Sequence, residues 1–369
     1  MQNITPLSSS LMLKLIDREV NYYKQIVDVI STRKVAIFTA GPTGSAFDRE
    51  LYHDLGIYAE FFIDNNPALE GQIINDKPVL HNPWEKYSNF AEQYAIITAS
   101  SPTINLQIER QLSNICRVPC ISHYQFNVFR HWEQIKSINE LLEDEFSKVS
   151  YLASIYYLLS CDNSFIQFNH SQYFAVKEFA RPLNEIIVDA GAFTGDTVEE
   201  YVKRSFGCAK IYAFEPYEVA ITALRARVSR LKTEWALSDD SITIVPAGVG
   251  YRTEQMKGSL NHLGFFTENS NGHIDIQVRS LDEYFSDKEP PTLLKADVEG
   301  MEQDMLKGAE NLIKCFKPKI SVCIYHRFSD YIAIPRFLRN LVPEYRFAVR
   351  NHSIDWDDTV LYCWTEACV

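Results

Sequence analysis

The stretch Ile186-Ile187-Val188-Asp189-Ala190-Gly191-Ala192-Phe193-Thr194-Gly195-Asp196-Thr197 decides the fold. A short apolar run ends in an acid, and two glycines spaced four apart follow before a segment that can open a helix. Such a run, bounded by turn residues, reads as a buried strand. Glycine lets the backbone approach a ligand closely, and a helix N-terminus presents N–H groups that lack intrahelical partners. A dinucleotide turn that seats a pyrophosphate has the spacing GxGxxG. Here the spacing is GxxxG, with an acid in front. That set suits a ligand carrying both an ammonium and a carboxylate, such as the amino-acid end of S-adenosyl-L-methionine (SAM). Asp189 would receive the ammonium directly or through water.

Working outward, a second acid stands where a nucleoside needs one. Glu215 ends the apolar run Ile211-Tyr212-Ala213-Phe214, 26 residues after Asp189, and Pro216 turns the chain behind it. A carboxylate there can take both ribose hydroxyls. Further on, Leu294-Lys295-Ala296-Asp297-Val298-Glu299-Gly300-Met301-Glu302 repeats the pattern of an apolar strand ending in an acid. Asp297 then lies at a strand's carboxyl end, where open α/β sheets bind ligands. Glu302 can instead serve a helix start. The alternation predicts strands at Glu185–Asp189, Lys210–Phe214, Ile242–Val249, Thr292–Ala296 and Lys319–Tyr325, with helices after Gly195, Glu218 and Glu302. Arg346 to Val349 and Thr359 to Trp364 read as a closing hairpin.

The N-terminal third shows the same alternation. Leu11 to Ile30 has helical apolar spacing. Strands are expected at Val35–Thr39, Tyr58–Ile63 and Tyr94–Thr98, with helices after Gly41-Pro42-Thr43-Gly44 and from Ser101. Between the two α/β parts, Asn127 to Phe179 carries no clear strand and reads as a helical connector. The expected organisation is residues 1–128, a connector over 129–180, and residues 181–369. A length of 369 residues suits two domains.

Net charge is −12 and no Lys/Arg run occurs, so sequence-independent nucleic-acid binding is not expected. No run reaches the roughly 18 apolar residues of a membrane span. Met1 to Ser10 lacks the basic start and apolar run of a signal peptide, which places the protein in the cytoplasm. The eight cysteines form no CxxC pair, so they are expected to be reduced and mostly buried, with no resident metal. The 22 Phe and 20 Tyr serve core and interface packing, and a homodimer is compatible with them.

The motifs from Val188 to Thr197, with Phe214-Glu215-Pro216, Ser280-Leu281-Asp282-Glu283, Lys295 to Glu302, Leu306-Lys307-Gly308-Ala309 and Ile324-Tyr325-His326, resemble those of FkbM-type methyltransferases. The resemblance covers roughly residues 140–365 and implies a class I (Rossmann-like) methyltransferase domain. It further implies SAM as cofactor, held at Asp189, Gly191, Phe193, Gly195, Asp196 and Thr197, with Glu215 and Pro216 at the ribose. Adenine would lie near Ala247-Gly248-Val249. Many members methylate hydroxyls of sugars or secondary metabolites, so a small-molecule or sugar-type acceptor is expected.

Methyl transfer to a hydroxyl calls for a positioned base. His326 is the leading candidate, with Asp297 and Glu299 as rivals. A cation held by Asp297, Glu299 and Asp282 is a further alternative. His352 and Asp355 are candidates for the acceptor pocket's border, and His262 to Phe266 for a lid. Residues 33–125, through Phe62-Ile63-Asp64-Asn65-Asn66-Pro67, Gly71 and Lys77-Pro78-Val79, are similar to the nucleotide-sugar-binding domain of sugar acyltransferases. An N-terminal Rossmann-like α/β domain follows from that resemblance. Its ligand stays open between a nucleotide sugar, NAD(P) with Asp64 on the ribose, and none. The chain would correspondingly be a sugar-type O-methyltransferase, a non-catalytic nucleotide-sugar or SAM-binding module, or a bifunctional enzyme with NAD(P)-dependent activity.

Overall fold

The computed structural model describes residues 7–260, 266–268 and 274–366. The segment His262 to Phe265, expected as part of a lid, lies outside the described residues. The chain divides into two compact units, residues 1–137 with 152–166, and residues 138–151 with 167–369.

The N-terminal unit begins with α1 (Ser9–Ile30), whose Ser8 side chain accepts the Leu11 N–H as an N-cap. There follow β1 (Lys34–Phe38), α2 (Pro42–Leu55), β2 (Ala59–Ile63), β3 (Ile73–Ile74), β4 (Lys77–Leu80), α3 (Pro83–Lys86), α4 (Phe90–Gln93), β5 (Tyr94–Thr98), α5 (Pro102–Ile115) and β6 (Cys120–Ser122). Pro42 opens α2, where its missing N–H costs nothing, and Gly56 closes it in the left-handed region. The sheet runs in the order β3-β4-β2-β1-β5-β6, with β2, β1, β5 and β6 parallel. β1 and β5 are apolar along nearly their whole length, as strands covered on both faces must be. Asp64 accepts the Ala40 N–H at 3.0 Å and the Asn66 N–H at 2.9 Å, so its carboxylate fastens the turn after β1.

Two helices follow, α6 (His123–Leu141) and α7 (Glu145–Ser160). The C-terminal unit then contains β7 (Ile186–Ala190), α8 (Asp196–Arg204), β8 (Lys210–Phe214), α9 (Glu218–Glu234), β9 (Ile242–Val245), β10 (Gly248–Val249), β11 (Glu254–Leu260), β12 (Phe266–Glu268), β13 (Ile274–Arg279) and α10 (Leu281–Tyr284). It closes with β14 (Leu293–Ala296), α11 (Glu302–Lys307), α12 (Glu310–Phe316), β15 (Lys319–Cys323), α13 (Asp330–Leu341), β16 (Arg346–Asn351) and β17 (Thr359–Trp364). The main sheet has the order β16-β17-β15-β14-β7-β8-β9. The inner strands are parallel, and β17 runs antiparallel to both β15 and β16, the closing hairpin the sequence predicts. This is a doubly wound α/β sheet of the class I methyltransferase type. Strand order reverses between β7 and β14, so a crevice opens at their carboxyl ends.

Two expectations need correction. The strand predicted over Ile242–Val249 is broken at Pro246, which has no N–H to extend the ladder. Its second half, β10, joins a separate sheet of order β10-β13-β11-β12. The alternation Ile274, Ile276, Val278 along β13 is the sequence signal for that sheet. The thiols are also less hidden than expected. Among the described residues only Cys323 and Cys363 are buried, in the central strands β15 and β17; Cys208 and Cys315 are exposed, in a turn and on α12.

Ile187 lies on β7 within the central core and is fully buried. Ile187→Ala should destabilise the unit by about 2–5 kcal/mol, the range for a buried aliphatic truncation. Urea unfolding with an unchanged midpoint would contradict this placement.

Candidate active site

Parallel pairing sets Asp189 on β7 directly beside Lys295 on β14. Both side chains are buried, and Lys295 Nζ lies 3.0 Å from Asp189 Oδ1. The ammonium also donates to Gly191 O at 2.8 Å and Ala190 O at 3.2 Å. Two hydrogen-bonded carbonyls and an ion-paired carboxylate therefore surround the ammonium and compensate its burial. Burial alone would pull the Lys295 pKa down, but Asp189 and Asp297 hold it above the ordinary value. Burial pushes the Asp189 carboxyl up, with Lys295 opposing.

The turn after β7 is thereby pulled against the end of β14. Gly191 has φ +76°, and a Cβ there would stand 1.8 Å from Asp297 O. Only glycine fits this crossing. Gly195, at φ +85°, starts α8 with its missing Cβ against Leu224. Between them Phe193 takes a left-handed φ of 45° although it has a side chain. Its N–H is fixed by Glu215 Oε2 at 2.8 Å, and Glu215 Oε1 accepts the Tyr217 N–H at 2.9 Å. Burial pushes the Glu215 carboxyl up while these two amides oppose it.

A cavity of about 840 Å³ opens above these turns, a size common for small-molecule sites. Gly191, Phe193, Asp196, Thr197, Glu215 and Pro216 line it, as do Asp297 and Glu299. Gly248 and Val249, expected near adenine, also line it, and Met256, Ile276 and Val278 supply apolar wall. Asp189, Gly195 and His326 are not among the lining residues. Asp189 is therefore not placed to receive a ligand's ammonium, because Lys295 occupies its carboxylate from the protein side.

At the exit of β15, His326 sits among carboxylates. Nδ1 is 2.8 Å from Oε1 of Glu302, which is fully buried. Nε2 is 3.4 Å from Glu299 Oε2 and 3.6 Å from Asp297 Oδ1. Burial pulls the imidazole's pKa down, but Glu302, Asp297 and Glu299 outweigh it and hold it at about 9. Three carboxylates thus crowd the ring expected to act as base, and it does not line the cavity. Asp297 Oδ2 accepts the Tyr173 hydroxyl at 2.7 Å.

The other sequence candidates serve the fold. His352 is buried between Asn169 O, 2.7 Å from Nδ1, and the Tyr362 hydroxyl, 2.8 Å from Nε2. Burial takes its pKa down to about 4. Asp355 receives no place in the cavity lining; its N–H bonds Ser353 Oγ at 3.0 Å. Asp282, proposed as a cation ligand, accepts the backbone N–H groups of Asn311 and Leu312 at the start of α12. Lys295 and Tyr173 are the participants that sequence reasoning missed. A lysine inside the apolar run Leu293–Ala296 was the available signal, since a charge there demands a partner.

The fold is that of class I methyltransferases. Residues 189–348 match the family model described as the methyltransferase FkbM domain. Among solved structures, the methyltransferase FkbM from Methylobacillus flagellatus KT is similar over 96% of this chain and 100% of its own, with TM-score 0.59 and 18% identity. A putative rRNA-methylase from Clostridium thermocellum aligns over 50% of this chain and 87% of its own, with TM-score 0.34 and 11% identity. Aeropyrum pernix fibrillarin, solved with natively bound S-adenosyl-L-methionine, aligns over 49% of this chain and 66% of its own, with TM-score 0.33 and 14% identity. No curated protein matches the chain. Among the described residues no helix is long and apolar enough to cross a membrane.

Asp189→Ala would leave the Lys295 ammonium buried without its counter-ion. A loss of about 3–5 kcal/mol is expected, read as a lower urea midpoint before any ligand is added. Equal stability of the variant would show that the pair does not hold the first turn.

Proposed function

We propose that this domain transfers a methyl group from SAM to a hydroxyl of a sugar, glycan or secondary-metabolite acceptor. The observation that carries the reading is one cavity shared by the Gly191–Thr197 turn, Glu215 and the carboxylates Asp297 and Glu299. The residues present fit the cofactor. Each Glu215 oxygen accepts one backbone N–H and keeps lone-pair capacity for a ribose hydroxyl. Asp196, the first residue of α8, replaces Asp189 as the acid that meets the ammonium. The helix's first N–H groups suit the carboxylate.

When bound, SAM supplies an activated methyl on a sulfonium. The chain's own task is alignment of the acceptor for in-line attack. Asp297 and Glu299 face the cavity and are the groups that meet the acceptor hydroxyl. His326, behind them, acts on both through its charge, with Nε2 3.4 Å from Glu299 and 3.6 Å from Asp297. The oxygen acceptor and sugar class rest on the family likeness. For the N-terminal unit we propose a nucleotide-linked sugar as ligand, supported by the likeness of residues 33–125 to the nucleotide-sugar-binding domain of sugar acyltransferases.

Calorimetry tests the reading. Wild-type protein should bind SAM, and Glu215→Ala should weaken it by about 10–100-fold, the value of losing hydrogen bonds to a charged group. Absence of SAM binding to the wild type would overturn the proposal. His326→Ala should keep SAM affinity and lower turnover; undiminished turnover would remove its positioning role. A thermal-shift series with nucleotide sugars checks the N-terminal ligand, and a flat response across the series would reject it.

A further inference from the structure

We infer that His326, Asp297 and Glu299 form a site for a divalent first-row cation at the wall of the methyl-transfer cavity. Donor atoms of Asp297, Glu302 and His326 lie within 4.8 Å of one another. Glu302 Oε1 is ion-paired to the Nδ1 side at 2.8 Å, and Nε2 is the nitrogen that faces both Asp297 and Glu299, which makes it the ligand nitrogen. A buried carboxylate behind a histidine is the usual outer partner that fixes a metal-binding ring. Glu302 is itself held, because its Oε1 accepts the Val298 N–H at 2.9 Å.

The other side of the ring is arranged for a guest. The His326 side chain is 10% exposed, and its Nε2 makes no hydrogen bond. Asp297 Oδ1, also buried, has no hydrogen-bond partner either. The two atoms stand 3.6 Å apart, with Glu299 Oε2 3.4 Å from Nε2. Those separations exceed the roughly 2.7–3.2 Å of a hydrogen bond. They approach the edge of a coordination shell, since two donors each about 2.1 Å from one ion lie on the order of 3.0–3.4 Å apart. Tyr173 holds Asp297 through Oδ2 at 2.7 Å, so Oδ1 stays turned to the gap. Glu299 takes a left-handed φ of 55°, a costly conformation for a side-chain-bearing residue, at the point where its carboxylate joins the group.

Charge leads to the same assignment. Asp297, Glu299 and Glu302 surround a single imidazole, and Lys295 is already satisfied by Asp189, Ala190 and Gly191. A mixed imidazole and carboxylate set suits Mn²⁺ or Zn²⁺. Asp297 and Glu299 line the cavity, so an ion held there takes the acceptor oxygen as a further ligand, orienting it and easing loss of its proton. This role rests on the methyltransferase reading; the site itself does not.

The test uses the full chain, dialysed against EDTA and titrated with MnCl₂ in the absence of SAM, with free Mn²⁺ followed by electron paramagnetic resonance. One tight equivalent per chain is expected. Glu299→Gln, at a half-exposed side chain, and Asp297→Asn should each weaken it at least tenfold with the circular dichroism spectrum unchanged. No tight equivalent in the wild type overturns the site. Equal affinity in both folded variants does so too, by showing an adventitious ion only. Mn²⁺ binding without SAM binding would support the site and sink the transferase reading, whereas SAM binding without Mn²⁺ would do the reverse.

Discussion

The Lys295 ammonium, sealed between β14 and β7, is the contact on which the C-terminal unit depends. Its attraction to Asp189 compensates burial of both charges, and its remaining N–H groups pin the carbonyls of Ala190 and Gly191. A buried pair of this kind is a weak source of net stability, but loss of one partner is expensive. Its consequence here is geometric. The first loop leaves β7 in one direction, close enough to Asp297 that only glycine fits at position 191.

From that anchor the rest of the cavity is built in sequence. The fixed turn brings the Phe193 N–H to Glu215, which ties the ends of β7 and β8 together. The same approach to Asp297 orders the start of the segment that carries Glu299 and Glu302. The N-terminal unit uses a similar device: Asp64, at the end of the strand beside β1, accepts the Ala40 N–H of the turn after β1. An acid in that position is thus in part a fastener of the loop, whatever ligand it also meets. The requirement is physical, because a turn at the carboxyl edge of a sheet leaves N–H groups that need acceptors.

Much of the fold was legible. Strands β5 and β8 lie where apolar runs place them, and most others differ by a residue or so at the ends. Parallel strands covered on both faces carry a strong local signal, and glycine and proline punctuate them. The small sheet of β10 to β13 was not read, although the alternation along β13 encodes it. Pro246 was passed over as the residue that ends β9.

The site divides along the same line. The sequence by itself determined the residue types and their chain positions: the glycines of the first turn, acids at strand ends, and a histidine after β15. It could do so because backbone conformation and strand burial are imposed within a few residues. Tertiary structure decided what each side chain faces. The register of β7 against β14 gave Asp189 to Lys295 and removed it from the cavity. The packing of the β14 exit against that of β15 set the His326 imidazole in a ring of carboxylates. Partners more than a hundred residues apart in the chain, such as Tyr173 and Asp297, meet only when the sheet assembles. Ionisation and hydrogen bonding depend on those neighbours and not on sequence spacing.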